Sequence, residues 1–211
     1  GQRMKTLQHI LEAVLMRGLL AAFRVMPLHV ASFCGGAMAR AVGGYLSMQK
    51  TARQNLAMVF PDLSDAGHYR ILSGMWDNIG RVAAEMAHLP GDRLIERITL
   101  HGAENLPEPG QAVLYFSGHL GNWELLPSVP HRRGLGITLV YRHANNPYVD
   151  ALLAKIRGAH SGNMIAKGPR GAFRLAKALK NKESLCMLVD QKMNDGIAVP
   201  FFGRPAMTAP A

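Results

Sequence analysis

His119 is followed five positions later by Glu124, within the stretch Ala112-Val113-Leu114-Tyr115-Phe116-Ser117-Gly118-His119-Leu120-Gly121-Asn122-Trp123-Glu124. An imidazole beside a carboxylate makes a general base with an orienting group. The carboxylate holds one ring nitrogen, and the other takes a proton from a hydroxyl. Spacing decides whether the two can meet. In a uniform helix, positions five apart lie roughly 140° around the axis, on different faces. They converge only if His119 sits in a turn and Glu124 in the first turn of a helix. The neighbours ask for that arrangement. Val113 to Phe116 reads as a short buried strand. Gly118 and Gly121 let the backbone turn sharply and approach a ligand. Asn122 is a good N-cap for a helix opening at Trp123 and Glu124. A His and a Glu at this spacing also occur together by chance on many surfaces, so the strand–glycine–histidine–glycine–cap context carries the argument. Two rival chemistries fit poorly. Ser117 lacks the Gly-x-Ser-x-Gly elbow. No His-Glu-x-x-His or Cys-x-x-Cys spacing suited to zinc occurs.

The elements that must position this pair follow from the pattern around it. From Ile95 onward, strands and helices alternate: Ile95 to His101 as a strand, a turn at Pro107-Glu108-Pro109-Gly110, then Ala112 to Phe116. Further strands are expected at Ile137 to Arg142, Asn163 to Ala166, Leu185 to Val189 and Ile197 to Phe202. Asn146-Pro147 caps a helix to about Arg157, and Pro169 opens a basic helix to about Asn181. Alternation of this kind predicts an α/β fold with a mostly parallel sheet flanked by helices. Sites in such sheets lie at the carboxyl ends of strands. His119, Arg142 and Asp190 all fall at or just beyond strand ends, which points to one shared site.

Ahead of this region the pattern is helical. Leu7 to Met26 repeats apolar residues at helical spacing but carries Glu12, Arg17 and Arg24. It is marginal as a spanning helix and reads either as an amphipathic helix at a membrane surface, arginines at the headgroups, or as an ordinary packing helix. Pro27 to Leu46 is a second apolar segment, whose Gly35, Gly36, Gly43 and Gly44 permit close helix packing. A third helix begins near Lys50 and stops before Pro61. A long one runs from His68 to Leu89 with Ile71, Leu72, Met75, Ile79, Val82 and Met86 on its apolar face, ending at Pro90-Gly91-Asp92. The division expected is a membrane-associated helical segment over 1–46 and an α/β domain over 47–211.

The chain of 211 residues is long enough for a sizeable core, and its apolar content of 48% argues against disorder. A formal net charge of +10 implies an anionic partner: nucleic acid, anionic lipid or an acidic protein. Arg132, Arg133, Lys155, Lys167, Arg170, Arg174, Lys177, Lys180 and Lys182 make the second half basic, either as a landing patch or as a solvated surface. Aromatic residues are only 7% and no nucleic-acid-binding signature appears, which speaks against nucleic acid. Cys34 and Cys186 read as buried reduced thiols rather than a disulfide. His29, His88, His101, His131, His143 and His160 form no ligand spacing and read as structural or surface residues.

Ser117-Gly118-His119-Leu120-Gly121-Asn122-Trp123-Glu124 resembles the His-x4-Glu block of the late acyltransferases of lipid A biosynthesis, the lauroyl/myristoyl acyltransferase family. Three further blocks agree in order: Val140-Tyr141-Arg142 through Asn146-Pro147-Tyr148-Val149-Asp150 to Arg157-Gly158, Leu188-Val189-Asp190-Gln191, and Val199-Pro200-Phe201-Phe202-Gly203-Arg204-Pro205-Ala206-Met207-Thr208. Asn55-Leu56, Phe60-Pro61 and Asn78-Ile79-Gly80-Arg81 agree more loosely. The resemblance implies a glycerolipid-acyltransferase-like fold and acyl transfer from an acyl carrier protein thioester to a hydroxyl of a lipid A precursor, in lipopolysaccharide biosynthesis. It places the chain at the cytoplasmic face of the cell inner membrane, among inner membrane lipids.

On this reading His119 is the base and Glu124 fixes its tautomer, with no metal or cofactor required. Arg157 binds a phosphate or the donor's phosphopantetheine; as a residue near a helix C-terminus it equally suits the helix dipole. Arg142, Asp190 and Asn122 are the other substrate-binding candidates, with surface charge, a strand-end turn and a cap as their plainer roles. Trp123 lines an acyl pocket or fills a core. The family usually continues beyond the Phe-Phe-Gly…Thr block, so the resemblance implies a chain truncated at its C-terminus, and Gly1 in place of Met suggests a trimmed start. A glycerolipid (lysophospholipid) acyltransferase is the nearest alternative, although those more often carry Asp where Glu124 stands. A non-catalytic basic module binding membrane or nucleic acid is the other.

Overall fold

The computed structural model describes residues 2–91, 93–108, 111–167 and 169–208. Asp92 and the Pro109-Gly110 half of the expected turn lie outside them, as do the side chains of His160 and Arg170. The chain forms two compact units, one of Gly1–Val25 with Met86–Asp190, the other of Met26–Glu85 with Gln191–Ala211.

The first unit is built on four parallel strands, β1 (Leu114–Ser117), β2 (Ile137–Tyr141), β3 (Asn163–Ala166) and β4 (Ser184–Leu188), in the order β1-β4-β2-β3. Helices α5 (Ser128–Arg132), α6 (Pro147–Ser161) and α7 (Pro169–Lys180) connect them, so the fold is α/β with a parallel sheet flanked by helices, as the alternation predicts. Successive side chains leave a strand on opposite faces. Tyr115, Leu139, Ile137 and Cys186 therefore share one face with Leu126 and Leu135. Ile165, Leu185 and Met187 share the other with Leu175 and Ala178 of α7. Cys186 is fully buried and Cys34 half-buried; both are free, and burial pushes the Cys186 thiol up to about 12, where it is chemically inert.

Two expectations change here. β1 is an edge strand rather than a buried one: Leu114 and Phe116 are 53% and 71% exposed. They lie on the face that α7 covers at β3 and β4. Ile95 to His101 is not a strand of the sheet. Ile95–Arg97 is a turn of 3-10 helix. Leu94, just before the turn, and Ile95, within it, are both buried, which successive residues of a half-buried strand with alternating faces cannot achieve.

Helix α1 (Gln2–Val25) packs on the first unit through Ala13 and Phe23, both buried. Two of its charges, Glu12 and Arg24, bond to other parts of this unit. Glu12 accepts from the Asn146 side-chain amide at 2.9 Å, and Arg24 donates to the Ala87 carbonyl at 2.8 Å. The same Asn146 amide also donates to the His9 carbonyl at 2.8 Å, while Asn146 Oδ1 caps α6 by accepting from the Tyr148 and Val149 amides. The apolar residues Leu7, Leu11, Val14 and Leu15 are left exposed. Arg3–Val25 is long and apolar enough to cross a membrane by length and composition.

In the second unit, α2 (Leu28–Gly43) packs on α4 (Asp65–Glu85), and α3 (Met48–Val59) packs beside α4. Gly35, Gly36 and Gly43 pack closely as the sequence suggests, whereas Gly44 has open space around it. A Cβ at Gly35 would meet the Gly80 carbonyl, and one at Gly43 would meet the Trp76 ring. The buried stripe of α4 is Leu72, Trp76, Gly80 and Ala84, four residues apart, while Ile71 and Ile79 are exposed. Closest approach to α2 requires small groups at the crossing, so the glycine rather than the isoleucine faces inward. Asp77 joins the same contact, paired with both Arg40 and Arg81. The remaining segment is an antiparallel hairpin of β5 (Lys192–Phe201) and β6 (Arg204–Thr208), separate from the parallel sheet. It extends the strand expected at Ile197 to Phe202 and adds a partner for it.

Candidate active site

The carboxyl ends of the parallel strands gather the polar residues singled out above. His119 follows β1 by two residues and Asp190 follows β4 by two; β1 and β4 are hydrogen-bonded neighbours. The Val189 amide donates to the Ser117 carbonyl at 3.0 Å, continuing the ladder and bringing the two ends level. Asp190 then grips the histidine twice. Its Oδ2 accepts from the His119 backbone amide at 2.6 Å, and its Oδ1 meets His119 Nδ1 at 2.7 Å. Gly118 is where the chain must stay small, since a Cβ there would come within 3.0 Å of Asp190 Oδ2. The Trp123 ring meets the imidazole edge-on, with centroids 5.0 Å apart.

Burial pushes the Asp190 carboxyl up, but the hydrogen bonds from the His119 amide and ring outweigh it. The group therefore titrates below the ordinary carboxylate range and is anionic at neutral pH. An anion on Nδ1 fixes the proton there and turns the other ring nitrogen into the proton acceptor.

Glu124 is placed as the spacing predicts, one residue into a helical turn capped by Asn122, whose Oδ1 accepts from the Glu124 amide at 3.2 Å. The turn is 3-10, Trp123–Leu125, rather than the start of a long α-helix. The partner of Glu124 differs from the expected one. Its carboxylate receives Arg157 Nε at 2.7 Å and Arg157 Nη2 at 2.6 Å, a bidentate fork from α6. The Glu124 side chain is only 7% exposed. The carboxylate on the Nδ1 of His119 is thus Asp190, and Glu124 serves the guanidinium. The physical reason is depth: a buried carboxylate takes the cation that can satisfy both its oxygens. Burial lowers the Arg157 pKa, but Glu124 first and then Asp150 and Tyr141 outweigh that and raise it. The group is a fixed cation.

Two further features lie at the same rim. His143 Nδ1 bonds Asp150 Oδ2 at 2.7 Å, with Asp150 also accepting from the Ala144 amide at 2.8 Å in the first turn of α6. Among the described side chains of the histidines read as structural, His143 is the one that forms a second His–Asp pair beside the site; an aspartate in the first turn of a helix just after a strand-end histidine is the signal for it. Lys167, directly after β3, is half-buried at the same edge of the sheet; the sequence marks it only as one of the basic residues that form either a landing patch or a solvated surface. Arg142 follows β2 and is exposed.

Four strand ends thus present a histidine–aspartate pair, a buried carboxylate–guanidinium pair and further cations. Comparison with known protein families supplies the deciding match: the profile of the bacterial lipid A biosynthesis acyltransferases fits residues 2–211. The chain belongs to that family. No curated protein matches it individually. In this lipid A biosynthesis acyltransferase the His119–Asp190 pair lies at the carboxyl rim of the parallel sheet, where sites of such sheets are found.

Proposed function

We propose that this member of the family moves a fatty acyl chain from an acyl carrier protein thioester to a hydroxyl of a lipid A precursor. The Asp190 contact on His119 Nδ1, at a rim flanked by exposed apolar side chains, carries the reading. The second ring nitrogen takes the proton of the acceptor hydroxyl as its oxygen attacks the thioester carbonyl. The tetrahedral intermediate collapses with cleavage of the carbon–sulfur bond, and the imidazolium returns the proton to the departing thiolate. Asp190 stabilises the transient imidazolium, as the third member of a catalytic triad does. Glu124 acts through Arg157: the fork fixes the guanidinium near the reacting centre, where a substrate anion or the oxyanion can meet it. Arg142 and Asn122 are the remaining substrate contacts in this account. The acyl chain lies along the open face of β1, where Leu114 and Phe116 are exposed beside Val189.

The same account puts α1 against the inner membrane, on its cytoplasmic face. Glu12 and Arg24 bond to protein partners while Leu7, Leu11, Val14 and Leu15 are exposed, an arrangement suited to lipid rather than water.

The test is an acyl-transfer assay with carrier-protein and coenzyme A thioesters of matched length, offered a lipid A precursor or a lysophospholipid. Product on the lipid A precursor from the carrier-protein thioester is expected. Product on the lysophospholipid alone would redirect the substrate assignment. No product from any pairing would leave a binding module as the better description.

A further inference from the structure

Lys167 is not needed by the base mechanism, yet its side chain is aimed into the site. Its backbone amide donates to the Tyr141 carbonyl at 2.8 Å, which continues the β2–β3 ladder one step past the strand and sets Lys167 next to Arg142. Its Nζ then lies 3.4 Å from the Leu188 carbonyl at the end of β4. Because β2 stands between β3 and β4, the lysine stem must run across the top of β2, over a span of about 10 Å between alternate strands. The ammonium thus arrives two residues before Asp190, the residue that holds His119. A lysine serving only solubility would extend away from the sheet, because its charge is better hydrated there. Burial lowers the Lys167 pKa, Asp190 raises it and Arg142 lowers it, so all three charges share one local field.

Two cations brought to one strand-end rim make a seat for a doubly ionised or bridging anion. Lysine supplies a point charge and arginine a planar fork, a combination suited to a phosphate group. We propose that Lys167 and Arg142 form a phosphate seat beside the His119–Asp190 pair, and that Lys167 is a substrate-binding residue of this site. The inference rests on the acyltransferase reading for its substrates but not for its chemistry. Both candidate substrates carry phosphate: the phosphopantetheine arm of the donor as a diester, and a phosphorylated sugar lipid acceptor as a monoester.

Calorimetric titration of the full chain in detergent separates the sources. The probes are phosphopantetheine against pantetheine, and phosphorylated acceptor lipid against its dephosphorylated form. The wild type is expected to bind the phosphate-bearing member of one pair more tightly. Lys167→Met is expected to remove roughly 10- to 100-fold of that preference, Lys167→Arg to keep most of it, and Arg142→Gln, at an exposed position, to weaken the same member. The pair affected identifies the source. Equal binding of both members of each pair by the wild type overturns the proposal, as does a Lys167→Met or Arg142→Gln variant that retains the full preference. His119→Ala is expected to abolish turnover while leaving the phosphate preference intact. An inactive wild type that still prefers the phosphate-bearing ligand would therefore reject the catalytic reading without touching this one.

Discussion

The proposed role of His119 as a base asks for one ring nitrogen to be held, and Asp190 holds Nδ1. Because hydrogen bonding leaves the folded Asp190 pKa depressed, the stability this group contributes is present above the ordinary aspartate value and lost as pH falls through the folded one. The pair therefore stays intact throughout neutral pH. Asp190→Asn is expected to lower kcat by roughly 10²- to 10⁴-fold, because the amide no longer stabilises the imidazolium or enforces its tautomer. Steady-state kinetics with KM near the wild-type value would bear this out; an unchanged kcat would remove Asp190 from the mechanism. Arg157→Ala has a different signature. It leaves the Glu124 carboxylate, 7% exposed, without its counter-ion, and a loss of about 3–5 kcal/mol is expected in urea denaturation. Arg157→Lys should recover only part, since an ammonium cannot fork to both oxygens. These partnerships mark the limit of what spacing conveys. His119 and Glu124 stand out because a turn and a cap separate them. Asp190 lies 71 positions from the ring it holds, and Arg157 lies 33 from Glu124. Only the order in which the strands pair, with β4 inserted beside β1, decides which carboxylate reaches the imidazole.

Elements with strong local signals were legible in the sequence. Asn146-Pro147 caps α6 through its side-chain oxygen, and Asn163–Ala166 is a strand with the bounds that the pattern suggests. Elements whose form depends on a neighbour were not. Leu114 and Phe116 look like core residues because they are apolar, but burial needs a covering layer and β1 sits at the sheet edge. Ile95 alternates with polar residues as a strand would, yet it is buried by a turn. On α4, hydrophobicity favours Ile71 and Ile79, and steric fit at the crossing selects Gly80 instead. That crossing gives a paired prediction. Gly80→Ala forces a methyl group against the Gly35 carbonyl and the Ala39 side chain and should destabilise by about 1–3 kcal/mol. Gly74→Ala, on the same helix with open space around it, should stabilise by about 0.5–1 kcal/mol. Thermal melts of the two variants read the contrast directly; the same sign for both would contradict the packing described.

At the scale of the whole chain, the proposed membrane association gives the net charge of +10 and the exposed apolar side of α1 one partner, an anionic lipid surface. Cosedimentation with anionic vesicles should be strong at low salt and weaken as the Debye length shrinks from about 30 Å at 0.01 M to about 8 Å at 0.15 M. A residual fraction should stay bound through α1. Leu11→Glu with Leu15→Glu, placing charge on its open side, should release that fraction; vesicle binding unaffected by either change would separate this chain from the membrane. The central claim concerns chemistry, and single-turnover transfer of a labelled acyl chain from carrier-protein thioester to lipid A precursor tests it most directly. Wild type should yield labelled acceptor, while His119→Ala, with unaltered folding, should lose roughly 10²-fold or more of the rate. Equal rates for the two proteins would contradict the account.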